Sequence, residues 1–265
     1  MIVRTLIILL AVLLAAVGLC AASDDTSFRW SGKLAPGRLI EIKGVNGSIR
    51  AEATTGSDVE VMAEKTSRRS DPAGVRIQIV DNGSGITVCA VYPSRHGRPN
   101  ECRPGSGGHM HLNRNDVKVE FTVRVPNGVR FIGRTVNGGV QADHLGADVE
   151  AYTLNGKIVV STAGAAVAET VNGSIHVIMG NAHWLGARRF STVNGSIDLE
   201  LPCNTTAELS ASTVNGDITT DFPLATHRHV ANHNSHGTLK TGSRELKINT
   251  VNGNIILRET GGPAV

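Results

Sequence analysis

Three sets of side chains in this chain have the types and spacing to do chemistry. Arg95, Arg98, Arg103 and Arg114, with His109 and His111, crowd a short segment that also holds Gly105, Gly107 and Gly108. Basic groups on a Gly-rich loop suit recognition of an acidic partner such as an anionic envelope polymer. The plainer reading is a solubilising loop at one end of the fold. Asp198, Glu200, Asp217 and Asp221 follow successive bends, and paired carboxylates are what cleavage of a glycosidic bond requires. Against this, equivalent positions elsewhere hold Val159, His176, Thr219 and Ile256, and only two Trp and two Tyr are available as platforms for sugars. His227, His229, His233 and His236 share one polar stretch, and imidazoles on a loop are ordinary zinc or copper ligands. Their spacing fits no closed site, so a solvated loop is expected, with no metal and no cofactor. No phosphate loop, nucleophile elbow or catalytic triad pattern is present, and no catalytic residue is assigned.

Cysteines point to the compartment. Removing the first 22 residues leaves Cys89, Cys102 and Cys203. Cys89 and Cys102 flank a Pro- and Arg-rich stretch that reads as an exposed loop, so a Cys89–Cys102 disulfide is expected in an oxidising environment. Closing such a loop adds about 3 kcal/mol by chain entropy. Cys203, beside Leu201 and Pro202, is expected to be buried.

These groups must be positioned by a repeat. Seven times the chain writes nearly one hexapeptide, from Gly44-Val45-Asn46-Gly47-Ser48-Ile49, through Thr170-Val171-Asn172-Gly173-Ser174-Ile175, to Thr250-Val251-Asn252-Gly253-Asn254-Ile255. The bends are Asn46-Gly47, Asn137-Gly138, Asn155-Gly156, Asn172-Gly173, Asn194-Gly195, Asn215-Gly216 and Asn252-Gly253. Side chains four and six before each Asn, and three and five after, are mostly apolar, with polar residues between. Alternation of period two on both sides of an Asn-Gly means strand, bend, strand. Asn-Gly is expected because both residues tolerate positive φ.

Two architectures satisfy this pattern: hairpins in a sandwich, or a solenoid in which Asn-Gly marks a corner and each coil stacks on the last. Asn spacings of 18, 17, 22 and 21 between positions 137 and 215, with no helix between, favour the solenoid. The Val or Leu before each Asn fits it better if the corner turns that side chain inward. The first half is less regular. Val59-Glu60-Val61 reads as a strand, 75–92 as a hairpin about Asn82-Gly83, and Val117, Val119, Phe121, Val123 and Val125 as one strand face. The fold class expected is all-β, a single-stranded β-solenoid with a hairpin-containing N-terminal half. One domain spans 23–265, irregular over about 23–125 and regular over about 126–258. Solenoid ends need covers, and 23–37 and 260–265 are the candidates.

The start of the chain has one Arg, an apolar run to Val17, then Gly18-Leu19-Cys20-Ala21-Ala22. This is the pattern of a secretory signal peptide over 1–22, too short to span a bilayer comfortably. Lipid attachment at Cys20 is a minor alternative, since Leu19 is a poor residue before a lipidated Cys. Without Arg4 the balance is 25 basic to 23 acidic residues, too even to argue for nucleic acid.

Repeated Thr-Val-Asn-Gly-(Ser/Asp)-Ile units behind such a leader resemble a bacterial putative-adhesin family of unknown function, over roughly residues 38–258. The resemblance implies a β-solenoid exported to the envelope or surface, and implies no ligand, reaction or site. The expected function is an exported, non-enzymatic interaction or adhesion module in the periplasm, at the cell surface or outside the cell. Its partner would be an envelope or surface protein or glycan, with no nucleic acid, no membrane span once the leader is removed, and self-association open. The alternatives are a polysaccharide-active β-helix enzyme and an envelope-stress sensing protein.

Overall fold

A computed structural model describes residues 26–94, 99–108, 110–112, 114–231, 234–239 and 244–260, with backbone alone over 224–238. The leader with Cys20, and Arg95, Arg98, His109, His233 and 261–265, therefore lie outside the described residues. The chain opens with β1 (Ser27–Lys33), β2 (Leu39–Lys43), β3 (Ile49–Thr54) and β4 (Asp58–Thr66). A single 3-10 turn at Pro72–Gly74 precedes β5 (Arg76–Asp81), β6 (Gly85–Val91) and β7 (Lys118–Pro126). Strands then alternate across the bends: β8 (Arg130–Arg134), β9 (Val140–Leu145), β10 (Val149–Tyr152), β11 (Ile158–Thr162), β12 (Ala166–Glu169), β13 (Ile175–Met179), β14 (Arg188–Ser191), β15 (Ile197–Pro202), β16 (Ala207–Ser212) and β17 (Ile218–Thr220). The last four are β18 (Leu224–Ala231), β19 (Asn234–Leu239), β20 (Glu245–Asn249) and β21 (Ile255–Thr260).

Each hexapeptide carries the chain from one sheet to the other, so the repeats build a two-sided β-solenoid. One sheet has the order β1-β4-β7-β3-β9-β11-β13-β15-β21-β17, the other β18-β19-β16-β20-β14-β12-β10-β8-β2-β6-β5. Within the coils all pairing is parallel, and apart from a register shift between β9 and β11 past Val160 it is in register, so equivalent side chains stack: Ile49, Val140, Ile158, Ile175, Ile197 and Ile255 form one buried column. One coil exposes its apolar face. Stacking two sheets of coils closes that face into a common core. Strands buried on one face keep the alternation the sequence showed, as in β11 and β13. β6 is buried at all seven positions because its outer face is covered as well.

Coils do not stack in chain order at either end. The Asn252 coil (β20–β21) lies between the Asn194 coil (β14–β15) and the Asn215 coil (β16–β17). The Asn46 coil (β2–β3) likewise lies between β6–β7 and β8–β9. Consecutive stacking, which the spacings suggested, holds only from Asn137 to Asn194. Antiparallel strands cover the ends: β1 and β4 beyond β7, β5 beyond β6, and the β18–β19 hairpin against β16. The N-terminal cover expected at 23–37 is thus β1 in part. The C-terminal cover is that hairpin, where a loop was expected at the histidines.

Candidate functional site

The bends form one continuous edge, built from three contacts repeated at each step. Asn side chains donate in a ladder, each Nδ2 to the Oδ1 of the preceding coil: Asn137 to Asn46 (3.0 Å), Asn155 to Asn137 (2.9 Å), Asn172 to Asn155 (2.8 Å), Asn194 to Asn172 (2.8 Å), Asn252 to Asn194 (2.7 Å) and Asn215 to Asn252 (2.7 Å). Thr two residues before the Asn donates its hydroxyl to the bend Gly carbonyl of the preceding coil, as Thr192 does to Gly173 (2.9 Å) and Thr250 to Gly195 (2.9 Å). Finally, each bend Gly lies against the carbonyl of the Gly below it: a methyl on Gly156 would strike Gly138, and one on Gly173 would strike Gly156.

This corrects the reason for Asn and adds to that for Gly. No bend Asn has positive φ; among the described residues Arg114 and His144 are the non-Gly residues that do. Asn is there for its amide. Gly47, Gly195, Gly216 and Gly253 do take positive φ, and the bend Gly also permits the close approach of stacked carbonyls. The residue before the Asn departs from expectation in four of the seven repeats. Val45 is buried, and Val136 and Val171 are half-buried, but Leu154 is 44% exposed and Val214 60%, with Val193 and Val251 also exposed. In those four the Thr is buried while the aliphatic residue and the Asn after it both face out. The edge carries an aliphatic row, an amide row beside it, and a third row two residues on: Ser48, Gly139, Lys157, Ser174, Ser196, Asn254 and Asp217.

The β6–β7 coil has no hexapeptide. Its bend is replaced by 92–117, pinned by the Cys89–Cys102 disulfide. The lobe packs on the outer face of β2 and β6. Lys43 Nζ donates to the carbonyls of Arg103 (2.8 Å), Gly105 (2.9 Å) and Gly107 (2.6 Å), and burial lowers its pKa from the ordinary lysine value, against the pull of Glu41. Glu41, fully buried, accepts from Thr87 Oγ1 (3.0 Å), the Gly105 amide (2.9 Å) and Arg134 Nε (3.0 Å). Arg134 lies over the Tyr152 ring at 3.9 Å, a cation–π contact. Tyr92 donates to Val117 O (2.9 Å), and Asn100 bridges Tyr92 O and His111. Glu41 and Lys43 were not singled out from the sequence. A signal existed in β6, whose Ile86-Thr87-Val88-Cys89-Ala90-Val91 run is apolar on both faces and so announces a cover.

The basic residues predicted as one loop are divided. Arg103 pairs with Glu101 (3.1 Å) in the disulfide lobe. Arg114 lies instead with Arg68, Arg69, Asp116 and Lys118 along a groove at the entry of β7. His111 is exposed and is not in a strand. The carboxylates do not pair. Asp198 meets Arg258 (2.8 Å) and His176 (3.7 Å), and Glu200 meets Arg258 (4.0 Å). Because β21 intervenes, Asp198 faces Ile256, which in turn faces Thr219 of β17. His227, His229 and His236 lie on the β18–β19 hairpin, with Arg228 opposite His236. Among the described residues no three metal-ligating side chains converge. Cys203 is exposed rather than buried, since β15 ends at Pro202 and the chain turns outward there.

Residues 152–258, which include five of the seven repeats, match the family described as Toastrack DUF4097. Over this span the hexapeptides are thus those of a family whose description names no function. No curated protein matches the chain. Similar solved structures include a putative cell adhesion protein from Clostridium sporogenes, at 11% identity over 88% of this chain and 100% of that one, TM-score 0.44. Another is a putative adhesin from Bacteroides fragilis, at 13% identity over 88% and 96%, TM-score 0.30.

Proposed function

We propose that this chain is an exported, non-enzymatic binding module whose working surface is the bend edge. One observation carries the reading: along the stacked bends an amide row and a polar row run beside an aliphatic row that is exposed at four of its seven positions, at the strand spacing of about 4.8 Å. Nothing in the folding of a coil requires the aliphatic row to be exposed, and Leu154, Val193, Val251 and Val214 expose it in consecutive stacked positions but one. A row of aliphatic groups beside a row of amides is amphipathic and repetitive, which suits an extended, repetitive partner such as an envelope or surface polymer. Export is supported by the leader pattern over 1–22 and by the disulfide, a bond that persists in oxidising compartments. No helix among the described residues is long and apolar enough to cross a membrane.

The test is binding of the purified chain to isolated envelope from the source organism, before and after Leu154→Glu, Val193→Glu and Val251→Glu are combined. These side chains are exposed, so the coil should still fold, which circular dichroism checks. Binding should fall at least tenfold. Undiminished binding by the folded variant would remove the edge as the working surface.

A further inference from the structure

A second surface lies where the bend edge runs out. Beyond Asn46 the edge is continued by the entry of β7: Asn46 Nδ2 points at the carbonyls of Asn115 and Val117 (3.5 Å each), and the Val119 amide donates to Asn46 O (2.8 Å). β7 pairs antiparallel with β4, Lys118 opposite Thr66. The exit of one strand and the entry of the other therefore face each other, although they are far apart in sequence. Between them opens a groove of about 760 Å³.

Its charge is unbalanced by construction. Arg68, Arg69, Arg114 and Lys118 line it, all four exposed. The one carboxylate among the lining residues, Asp116, is already engaged by backbone. Its Oδ2 accepts from the amides of Arg68 (3.2 Å) and Arg69 (3.1 Å), its Oδ1 from that of Ser70 (2.9 Å). These bonds hold its pKa below the ordinary carboxylate value, and they fold the 67–70 turn so that two guanidinium side chains leave it side by side. Among the described residues none of the four cations is in an ion pair. Glu64 and Glu120 face each other two residues further along β4 and β7, outside the groove lining. Arg114 is held at φ 47°, a conformation uncommon for a residue with a side chain.

We propose that this groove binds the anionic groups, carboxylate or sulfate, of an acidic polysaccharide. The lining favours such a ligand over a protein. Every lining side chain is polar or charged, whereas protein interfaces are anchored by apolar or aromatic groups in pockets. Four cations, two on the turn after β4 and two at the entry of β7, match charges repeated along a polymer better than one ion. Arg is the residue suited to planar or tetrahedral oxyanions because its fork of donors binds them in pairs. The proposal rests on the edge reading only in expecting the polymer to continue from groove to edge; the groove itself is tested separately.

The experiment titrates the purified chain with polygalacturonate, dextran sulfate, neutral dextran and polyglutamate at low and high salt. It compares Arg68→Ser/Arg69→Ser/Arg114→Asn with a charge-matched control, Arg124→Ser/Arg130→Ser/Arg189→Ser. Asn at 114 tolerates the positive φ. The expected result is salt-sensitive binding of one or both acidic polysaccharides and none of neutral dextran, weakened about tenfold or more in the groove variant and less than about twofold in the control. Whichever of the carboxylated and sulfated polymers binds more tightly identifies the anion. Equal weakening in groove and control variants overturns the proposal, as does equal binding of neutral dextran, no binding of either acidic polysaccharide, or tighter binding of polyglutamate than of both. A groove variant that loses acidic polymer but keeps envelope binding leaves the edge reading standing. An edge variant that does the reverse leaves the groove standing.

Discussion

The array from Asn137 to Asn194 and the β6–β7 coil solve one problem, joining two sheets at a bend, by opposite means. In the array every bend is held by the same set: an Asn amide on the amide below, a Thr hydroxyl on a Gly carbonyl, and a Gly under a carbonyl. In β6–β7 nothing repeats. The disulfide, Lys43 on three carbonyls, and buried Glu41 between Thr87, Gly105 and Arg134 hold a lobe that has no counterpart among the other described residues. The repeated bend depends on a like neighbour and so propagates. The lobe depends on side chains placed once, and so can end the array.

Gly173→Ala should separate the two most sharply. Its methyl would meet the backbone of Gly156, which cannot move without displacing every bend beyond it. Overpacking against backbone sits at the upper end of its usual cost, about 3 kcal/mol. Gly107→Ala in the lobe meets nothing closer than Pro104 O at 3.4 Å and should change stability by about 0.5 kcal/mol or less. Urea unfolding of both variants measures the difference, and equal losses would mean that stacked carbonyls do not set the bend residue.

Replacing both Cys89 and Cys102 by Ala should cost less, up to about 3 kcal/mol by chain entropy, and should act locally. Amides of β2, β5 and β6 should exchange faster while those of β11 and β13 keep their protection. Loss of protection throughout would show that lobe and array unfold as one unit.

The chain's two tyrosines offer a pH comparison, since Tyr92 belongs to the β6–β7 coil and Tyr152 to the array. Burial raises each to about 12, with the Glu150 carboxylate adding to the effect at Tyr152. In the unfolded chain both ionise near pH 10, so the folded form holds more protons between pH 10 and 12. Stability from this source is complete below pH 10 and is lost as pH rises to about 12. Lys43, lowered in the folded state, works in the opposite direction. Tyr92→Phe removes the hydroxyl that donates to Val117 O, costing about 1 kcal/mol at pH 8, and should make the fall in stability from pH 10 to 12 shallower. A fall as steep as in the parent would assign it to groups other than Tyr92.

Strands, bends and disulfide were readable from the sequence because each is local: alternation marks a buried face, Asn-Gly a corner, and two cysteines bracket one loop. Coil order was not, for a physical reason. Every coil presents the same Asn, Thr and Gly to whatever stacks on it, so the hexapeptides cannot say that Asn252 belongs between Asn194 and Asn215. The fate of the carboxylates followed from that, since the inserted β21 puts Ile256 where a neighbouring acid was needed. The basic residues were visible but misgrouped. Arg114 is far nearer Arg103 than Arg68 in sequence yet joins Arg68 and Arg69, because β4 and β7 pair antiparallel.

The one repeat that breaks the Thr rule gives the finest test. The first unit has Gly44 where six others have Thr, and substitution toward the consensus commonly adds about 0.5–2 kcal/mol. Here it should not. Thr contributes by donating to the bend Gly carbonyl of the coil below, and the coil below Gly44 is β6–β7, whose bend is the lobe and has no such Gly. A side chain at 44 would instead approach Thr135 Oγ1 at 3.3 Å, crowding the hydroxyl that already donates to Gly47 O at 2.9 Å. Gly44→Thr should therefore leave stability within about 0.5 kcal/mol of the parent, whereas Thr192→Val, inside the array, should lose about 1 kcal/mol with its hydrogen bond. Thermal melts of the two variants decide the matter. A stabilised Gly44→Thr would mean that Thr serves the bend through its own backbone preference, and that the contact between coils is incidental to it.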